Sequence, residues 1–242
     1  MVRRREAGLD GLLTLPTTSM EKPILTYPNP LIAGSNPDPS VVRVGDDYYI
    51  VTSSAEYLPG LPVYHSRDFI TWTPVGSVAT RSTQLNVENA PPRGGALAPT
   101  LRHHNGLFHI IVTDAIGRGT LHFTAEQAEG PWSDGTVFDG IDGIDPDLAW
   151  ADDGTASITF AGYGINPSLP TFLKQRGMLQ ARVDLTTGRA LESPRTVWPG
   201  KEAHLRFAEA PHLHHIGDWW YLLMAEGGTE QGRRKRSKVE NS

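Results

Sequence analysis

One pattern recurs four times along the chain, beginning at residues 38, 98, 145 and 210. Each copy has an acidic or small residue, a proline, an apolar segment, a Gly/Asp/Asn turn and a second apolar segment. The copies read D-P-S-V-V-R-V-G-D-D-Y-Y-I-V-T, A-P-T-L-R-H-H-N-G-L-F-H-I-I-V, D-P-D-L-A-W-A-D-D-G-T-A-S-I-T and A-P-H-L-H-H-I-G-D-W-W-Y-L-L-M. A repeat of this kind predicts one supersecondary unit arrayed several times.

The spacing of the copies indicates the architecture. Roughly 50 to 65 residues separate successive copies, which is room for about four short strands, the content of one propeller blade. Turn pairs such as Asn105-Gly106 favour tight hairpins, because Asn and Gly accept positive φ at low cost. Further strands are expected over 61–66, 121–125 and 178–183. The sequence predicts an all-β propeller; the alternative, four unrelated hairpins in a β-sandwich, does not explain a proline at one offset four times.

The domain boundaries follow the repeat. We expect residues 1–22 to be an N-terminal extension, within which Met20 could be the true start. Residues 23–230 form the propeller, with only about three blades and part of a fourth, so that the chain looks truncated at its C-terminal side. Residues 231–242 are basic and lack apolar alternation, so they are expected to add no strand and to be disordered.

Composition excludes several function classes. The net charge is −5 and the basic residues concentrate at the two ends, so the acidic body is not expected to bind nucleic acid. The absence of cysteine excludes disulfides and thiolate metal sites. No apolar run of about 18 residues and no signal-peptide pattern is evident. We therefore expect no membrane partner, no cofactor and a cytoplasmic location.

Two carboxylates occupy matched places in the repeat, and a third lies directly beside such a place. In a propeller the heads of the first strands converge on the central channel. Asp38 and Asp145 stand at equivalent positions, and Glu209 directly precedes the fourth copy, so we expect all three at one channel mouth. Taken singly, an Asp-Pro pair is an ordinary turn signal. Taken together, the carboxylates suit glycoside hydrolysis, which needs one carboxylic acid and one carboxylate.

Four motifs give the chain a specific resemblance. In order they read N-P-L-I-A-G-S-N-P-D-P-S-V-V-R-V-G-D-D-Y-Y-I, P-V-Y-H-S-R-D-F-I-T-W, G-I-D-P-D-L-A-W-A-D-D-G and E-A-P-H-L-H-H-I-G-D-W-W-Y-L-L-M-A-E-G-G-T. The stretch from about residue 23 to 229 resembles glycoside hydrolase family 43, the β-xylosidases and α-L-arabinofuranosidases. The resemblance implies a five-bladed β-propeller and a xylo- or arabino-oligosaccharide substrate.

The resemblance also implies roles for the carboxylates. Asp38 corresponds to the general base that activates water, and Glu209 to the general acid. Asp145 corresponds to the third carboxylate, which tunes and orients the acid. Asp142 and Asp147 are nearby rivals, but only Asp145 precedes the proline of the repeat. The family is inverting, which implies roughly 6.5–9.5 Å between base and acid.

Substrate contacts are expected at Tyr57, Leu97 and Ala98. Tyr57 stands where the family commonly has an aromatic residue, although a place in the core is an equally good interpretation. Leu97 stands where the family often has Trp, and Ala210 where it usually has Gly. No metal site is expected, because the adjacent histidines at 103–104 and 214–215 point to opposite faces of their strands.

The resulting functional prediction is an inverting glycosidase that releases terminal xylose or arabinofuranose. A catalytically inactive, truncated propeller is the alternative, because the family's later His and Arg are not found after A-E-G-G-T. A retaining fructosidase-like propeller is a third hypothesis, but its usual N-D-P-N-G signature does not occur.

Overall fold

The computed structural model describes residues 27–199 and 207–227, and the backbone of a strand over 234–239. The predicted extension, residues 1–22, lies outside the described residues. The described part contains sixteen strands and no helix, so none of its elements is a helix long and apolar enough to cross a membrane. The all-β prediction is confirmed.

The strands form four antiparallel sheets, each wound outward from an inner strand. The first sheet has the order β1-β2-β3-β4 and comprises Ser40–Val44, Asp47–Val51, Gly60–Ser66 and Thr73–Ala79. The second has the order β5-β6-β7-β8 and comprises Ala96–His104, Leu107–Asp114, Gly119–Ala125 and Thr136–Val137. Each sheet has the up-and-down order of a propeller blade.

The third and fourth sheets repeat this plan. The third comprises β9 to β13, which are Ile144–Trp150, Ala156–Tyr163, Gln175–Asp184, Arg189–Ala190 and Arg195–Trp198. The fourth has the order β14-β15-β16 and comprises Glu209–Ile216, Trp219–Ala225 and Arg234–Val239. The expected strands at 61–66, 121–125 and 178–183 lie within β3, β7 and β11. We refer to the four sheets as blades 1 to 4.

Strand β16 differs from the sequence prediction. Residues 231–242 were expected to add no strand, yet Arg234–Val239 pairs antiparallel with β15. The reason is that ladder hydrogen bonds come from the backbone, so a run of Lys and Arg can still pair, and basic residues are common on edge strands. Residues 231–233 and 240–242 lie outside the described part.

The repeat proline follows a residue with left-handed backbone geometry in every blade. The φ angles are +51° at Asp38, +48° at Ala98, +54° at Asp145 and +50° at Ala210. The ladder register shifts at this place in blades 2 and 4, between Leu97 and Thr100 and between Glu209 and His212. Such irregularities re-aim side chains at the end of a strand. The four copies are therefore equivalent in structure as well as in sequence.

The apolar core lies between neighbouring blades. One cluster joins blades 1 and 2 and includes Leu61, Leu101 and Phe123, all fully buried. A second joins blades 2 and 3, with Ile111 and Phe160 among its members, and a third joins blades 3 and 4. The inner strands β1, β5, β9 and β14 contact one another in that order. Packing of successive sheets face to face thus brings the heads of the inner strands to one end of an axis.

Candidate active site

The three predicted carboxylates lie at that end of the axis. Asp38 is separated from β1 only by Pro39. Asp145 is the second residue of β9, and Glu209 is the first residue of β14. The negative charges of Glu209 and Asp38 both act on the carboxyl of Asp145. Residues far apart in the sequence are therefore brought together because each heads an inner strand of its blade.

Asp145 is the carboxyl most affected by this arrangement. Its pKa is raised to about 7, mainly by burial of the carboxyl and also by the negative charges of Glu209 and Asp38. The opposing influences are the backbone N–H of Ala210, which donates to Oδ2 at 3.0 Å, and the nearby His212. A carboxyl with this pKa exchanges between its protonated and ionised forms near neutral pH, a property typical of catalytic centres.

Asp38 is more exposed and is held by one side chain. The hydroxyl of Ser53 donates to its Oδ2 at 2.7 Å. Ser53 is 3% exposed, and its Oγ accepts the backbone N–H of Ala98 at 2.7 Å. Ser53 is a site residue that sequence reasoning missed. The run T-S-S after β2 was its only signal, and nothing in that run distinguishes Ser53 from its neighbours.

Asp147, the first of the two rival aspartates, is engaged in contacts between blades. Asp147 is fully buried, forms an ion pair with Arg102 and accepts the backbone N–H of Leu213 at 2.7 Å. His212 Nδ1 lies 3.6 Å from the same carboxylate. These contacts link blades 2, 3 and 4 and leave Asp147 inside the joint between them. Its role is therefore to hold the blades together.

Asp142 is likewise a structural residue. Its Oδ1 accepts the backbone N–H groups of Ile165 and Asn166 at 3.0 and 3.1 Å, and its Oδ2 accepts the hydroxyl of Thr171 at 2.7 Å. Arg176 lies 3.5 Å from Oδ2. The carboxylate organises the loop between β10 and β11. The contacts of Asp142 and Asp147 favour Asp145 as the third carboxylate.

The predicted substrate contacts occupy two different settings. Tyr57 is 68% exposed in the loop between β2 and β3, which excludes a place in the core and leaves the ring available for stacking on a sugar. Leu97 and Ala98 lie at the head of β5 and are half-buried. Ala98 contributes through its backbone, which links blade 2 to Ser53.

The histidines pack against aromatic rings. His104 stacks on Trp150 with centroids 4.3 Å apart, and His215 stacks on Trp220 at 4.6 Å. Within the part of the chain that the structure describes, no group of three or more His, Cys, Asp or Glu residues is arranged to hold a metal ion.

Comparison with known proteins identifies the family. The sequence profile of "Glycosyl hydrolases family 43" matches residues 27–242. The chain belongs to glycosyl hydrolases family 43. Solved family 43 enzymes have five-bladed propellers, so the four blades described here are consecutive parts of that fold, with three strands in the fourth. The predicted fold class and family are confirmed.

Individual family 43 relatives share this similarity along most of the chain. The non-reducing end alpha-L-arabinofuranosidase BoGH43B of Bacteroides ovatus is 39% identical over 226 residues, which cover 90% of this chain and 39% of the relative. A xylan 1,3-beta-xylosidase of a Vibrio species is 37% identical over 214 residues, covering 85% and 39%. The crystal structure of a xylan beta-1,4-xylosidase from Bacillus halodurans C-125 superposes with a TM-score of 0.79 at 33% identity, covering 89% of this chain and 42% of that chain. The chain spans about two-fifths of the length of these family 43 proteins.

Proposed function

We propose that the protein is an inverting glycosidase that hydrolyses terminal xylose or arabinofuranose bonds by general acid/base catalysis. One observation carries the proposal. The charges of Glu209 and Asp38, which head two blades, both act on Asp145 at the head of a third, and the pKa of Asp145 rises to about 7. The names of the relatives, an arabinofuranosidase and two xylosidases, support the sugar class.

In the proposed reaction Asp38 is the base. Ser53 donates to Oδ2 of Asp38, so Oδ1 takes the proton from a water molecule as the water oxygen attacks the anomeric carbon. Protonated Glu209 gives its proton to the departing glycosidic oxygen as the bond from that oxygen to the anomeric carbon breaks. The products are a free sugar of inverted configuration and a shortened glycan. Protonated Asp38 and ionised Glu209 then return to their starting states by proton exchange with solvent.

Asp145 prepares the acid for this step. Its carboxyl is fixed by the N–H of Ala210, the residue that follows Glu209 in the chain. A neighbouring carboxyl that is partly ionised near pH 7 opposes ionisation of Glu209, because like charges at close range disfavour a second negative charge. Asp145 thereby keeps Glu209 supplied with the proton that the leaving group needs.

The test compares the chain with its Glu209→Gln variant on nitrophenyl β-xyloside and nitrophenyl α-L-arabinofuranoside. Because the relatives are longer, both are assayed alone and as hybrids in which the C-terminal part of the B. ovatus relative follows Gly227. We expect the hybrid to release sugar and the variant to lose about 10²–10⁴-fold in rate. Equal rates in the hybrid with Glu209 and the hybrid with Glu209→Gln would refute the role of Glu209. An initial product of retained configuration, detected by NMR, would refute inversion.

A second candidate is a chain that binds these sugars without turnover. It is favoured by the fact that the chain matches only about two-fifths of its relatives' length. The measurement is titration calorimetry of the 242-residue chain with xylo- and arabino-oligosaccharides. Binding without release of sugar by the chain alone, together with release by the hybrid, would support this candidate for the isolated chain.

A further inference from the structure

Three hydroxyl residues in a row follow strand β2, and only the middle one faces the carboxylate of Asp38. Thr52, Ser53 and Ser54 are all largely buried. Among the residues that the structure describes, the side-chain oxygens of Thr52 and Ser54 have no hydrogen-bond partner. Ser53 has two, the Oδ2 of Asp38 and the N–H of Ala98, each at 2.7 Å. All three hydroxyl residues of this segment are therefore largely buried, but only Ser53 forms a hydrogen bond with Asp38.

The two hydrogen bonds fix the direction in which Ser53 donates. A backbone N–H can only donate, so the bond from Ala98 uses a lone pair of Oγ. The single hydroxyl proton of Ser53 is then free to point at Asp38, and a bond to an ionised acceptor is stronger than one between neutral groups. The result is a directed chain from Ala98 N–H through Ser53 O–H to the carboxylate.

The backbone of Ser53 also holds the segment that carries Asp38. Its N–H donates to the carbonyl of Pro37 at 3.0 Å. Asp38 itself has φ of +51°, a left-handed geometry that is uncommon for residues other than glycine. Ser53 thus contacts both the main chain before Asp38 and its side chain.

We propose that Ser53 is a positioning residue for Asp38, which aims the base and couples it to the head of blade 2. Ser53 orients Oδ2 by donation and leaves Oδ1 directed at the water. Through its bond to Ala98 the same hydroxyl links the base to the head of β5, where substrate contacts are expected. The base is thereby held at a fixed position relative to the substrate. The proposal rests on the proposed function, in which Asp38 is the base.

The test uses substitutions of the three neighbouring hydroxyls in the hybrid that follows Gly227 with the relative's C-terminal part. Ser53→Ala is expected to lower kcat about 10- to 100-fold, since a misaligned base loses rate out of proportion to the size of the change, and to leave KM within about twofold. Ser53→Thr retains the hydroxyl and should recover most of the rate. Ser54→Ala and Thr52→Val remove hydroxyls without a described partner and should leave kcat and KM unchanged.

A double-mutant cycle with Asp38→Asn separates positioning from general damage. If Ser53 acts through Asp38, then Ser53→Ala causes no further loss once Asp38 is Asn, because residues that act as a unit are not additive. A further loss of the same size in both backgrounds would overturn the proposal. Should Ser53→Ala fail to fold, Ser53→Cys takes its place with the same expectations, because its thiol is only a weak donor.

The outcomes also distinguish this proposal from the proposed function. Full activity of Asp38→Asn would refute Asp38 as the base, and the role of Ser53 would fall with it. Inactive Asp38→Asn combined with a Ser53→Ala variant that behaves like Ser54→Ala would overturn the positioning role alone. Loss of kcat in Ser53→Ala with recovery in Ser53→Thr would support both.

Discussion

The joint between blades 1 and 2 and the joint between blades 3 and 4 use the same backbone donors with different acceptors. In the first, the N–H of Leu101 donates to the hydroxyl of Ser40 at 3.0 Å. In the second, the equivalent N–H of Leu213 donates to the carboxylate of Asp147 at 2.7 Å. Ser40 and Asp147 both stand two residues after the left-handed position of their blade. The two joints therefore share their backbone geometry and differ in the charge of the acceptor. We call the joint between blades 1 and 2 the neutral joint and the joint between blades 3 and 4 the charged joint.

The same contrast holds one step nearer the channel mouth. The N–H of Ala98 donates to the hydroxyl of Ser53, whereas that of Ala210 donates to the carboxylate of Asp145. A buried hydroxyl is stabilised sufficiently by a hydrogen bond, because it carries no charge. A buried carboxylate must in addition be neutralised, either by a nearby cation or by binding a proton. Arg102 supplies the cation to Asp147, while the pKa of Asp145 rises. Asp145 can therefore exchange a proton near neutral pH because its carboxyl is buried at the joint between blades 3 and 4.

The largest expected effect of breaking this contrast is at Asp147. Asp147→Ala removes the partner of Arg102, whose side chain is 19% exposed, and leaves the N–H of Leu213 without its acceptor. Removing one member of a buried ion pair destabilises a protein by about 3–5 kcal/mol. Urea unfolding at pH 7 measures the loss.

A matched control for this substitution lies in the same blade. Asp152 approaches His215 of blade 4 at 3.7 Å, but its side chain is 90% exposed. Asp152→Ala should leave the unfolding midpoint unchanged, because exposed pairs contribute little. If Asp147→Ala and Asp152→Ala had equal effects, burial would not be what distinguishes the charged joint.

The next effect concerns pH and Asp145. Its folded-state pKa of about 7 lies above the ordinary aspartate value of 3.8, so the folded chain binds more protons between these limits and loses stability as the pH rises through them. Asp145→Asn removes this penalty and keeps an oxygen to accept the N–H of Ala210. Relative to the unsubstituted chain, the variant should gain at most about 4 kcal/mol at pH 8, and the gain should vanish near pH 4. Unfolding measured from pH 4 to 8 tests this, and a pH-independent difference would contradict it.

The neutral joint should respond less strongly. Ser40→Ala leaves the N–H of Leu101, a fully buried residue, without an acceptor, which costs about 1–3 kcal/mol. Thr113→Val is the control, because the Thr113 hydroxyl is buried with no partner among the described residues. It should be close to neutral in the same urea titration. A loss in Ser40→Ala as large as that in Asp147→Ala would show that the acceptor's charge is irrelevant.

Much of the fold could be predicted because its signals are local and repeated. The turn Asn105-Gly106 has φ values of +49° and +78°, the geometry for which this pair is favoured. The proline offset located four structurally equivalent residues. Strand β16 could not be predicted, since its pairing with β15 depends on backbone groups and its side chains give no alternation.

The site was predictable only where a repeat position carried it. Asp38, Asp145 and Glu209 could be predicted to lie near one another because each stands at the head of a blade. The proline of the repeat already favoured Asp145 over Asp147, but the ion pair that engages Asp147 could not be predicted, because its partner Arg102 belongs to another blade. Ser53 could not be found for the same reason, because its partners Asp38 and Ala98 belong to two different blades.

The smallest expected effect tests whether the two joints share one backbone geometry. Ala98 and Ala210 have φ values of +48° and +50°, where a side chain costs roughly 1 kcal/mol that glycine avoids. Ala98→Gly and Ala210→Gly should therefore each stabilise the chain by about 0.5–1 kcal/mol, since both retain the N–H that bridges the blades. Thermal unfolding of the two single variants and the double variant measures the gains, which should be equal and additive because the joints share no partner. A gain at Ala98 without one at Ala210 would mean that the charged joint holds its backbone by means that the neutral joint lacks, and that geometry as well as charge separates the two.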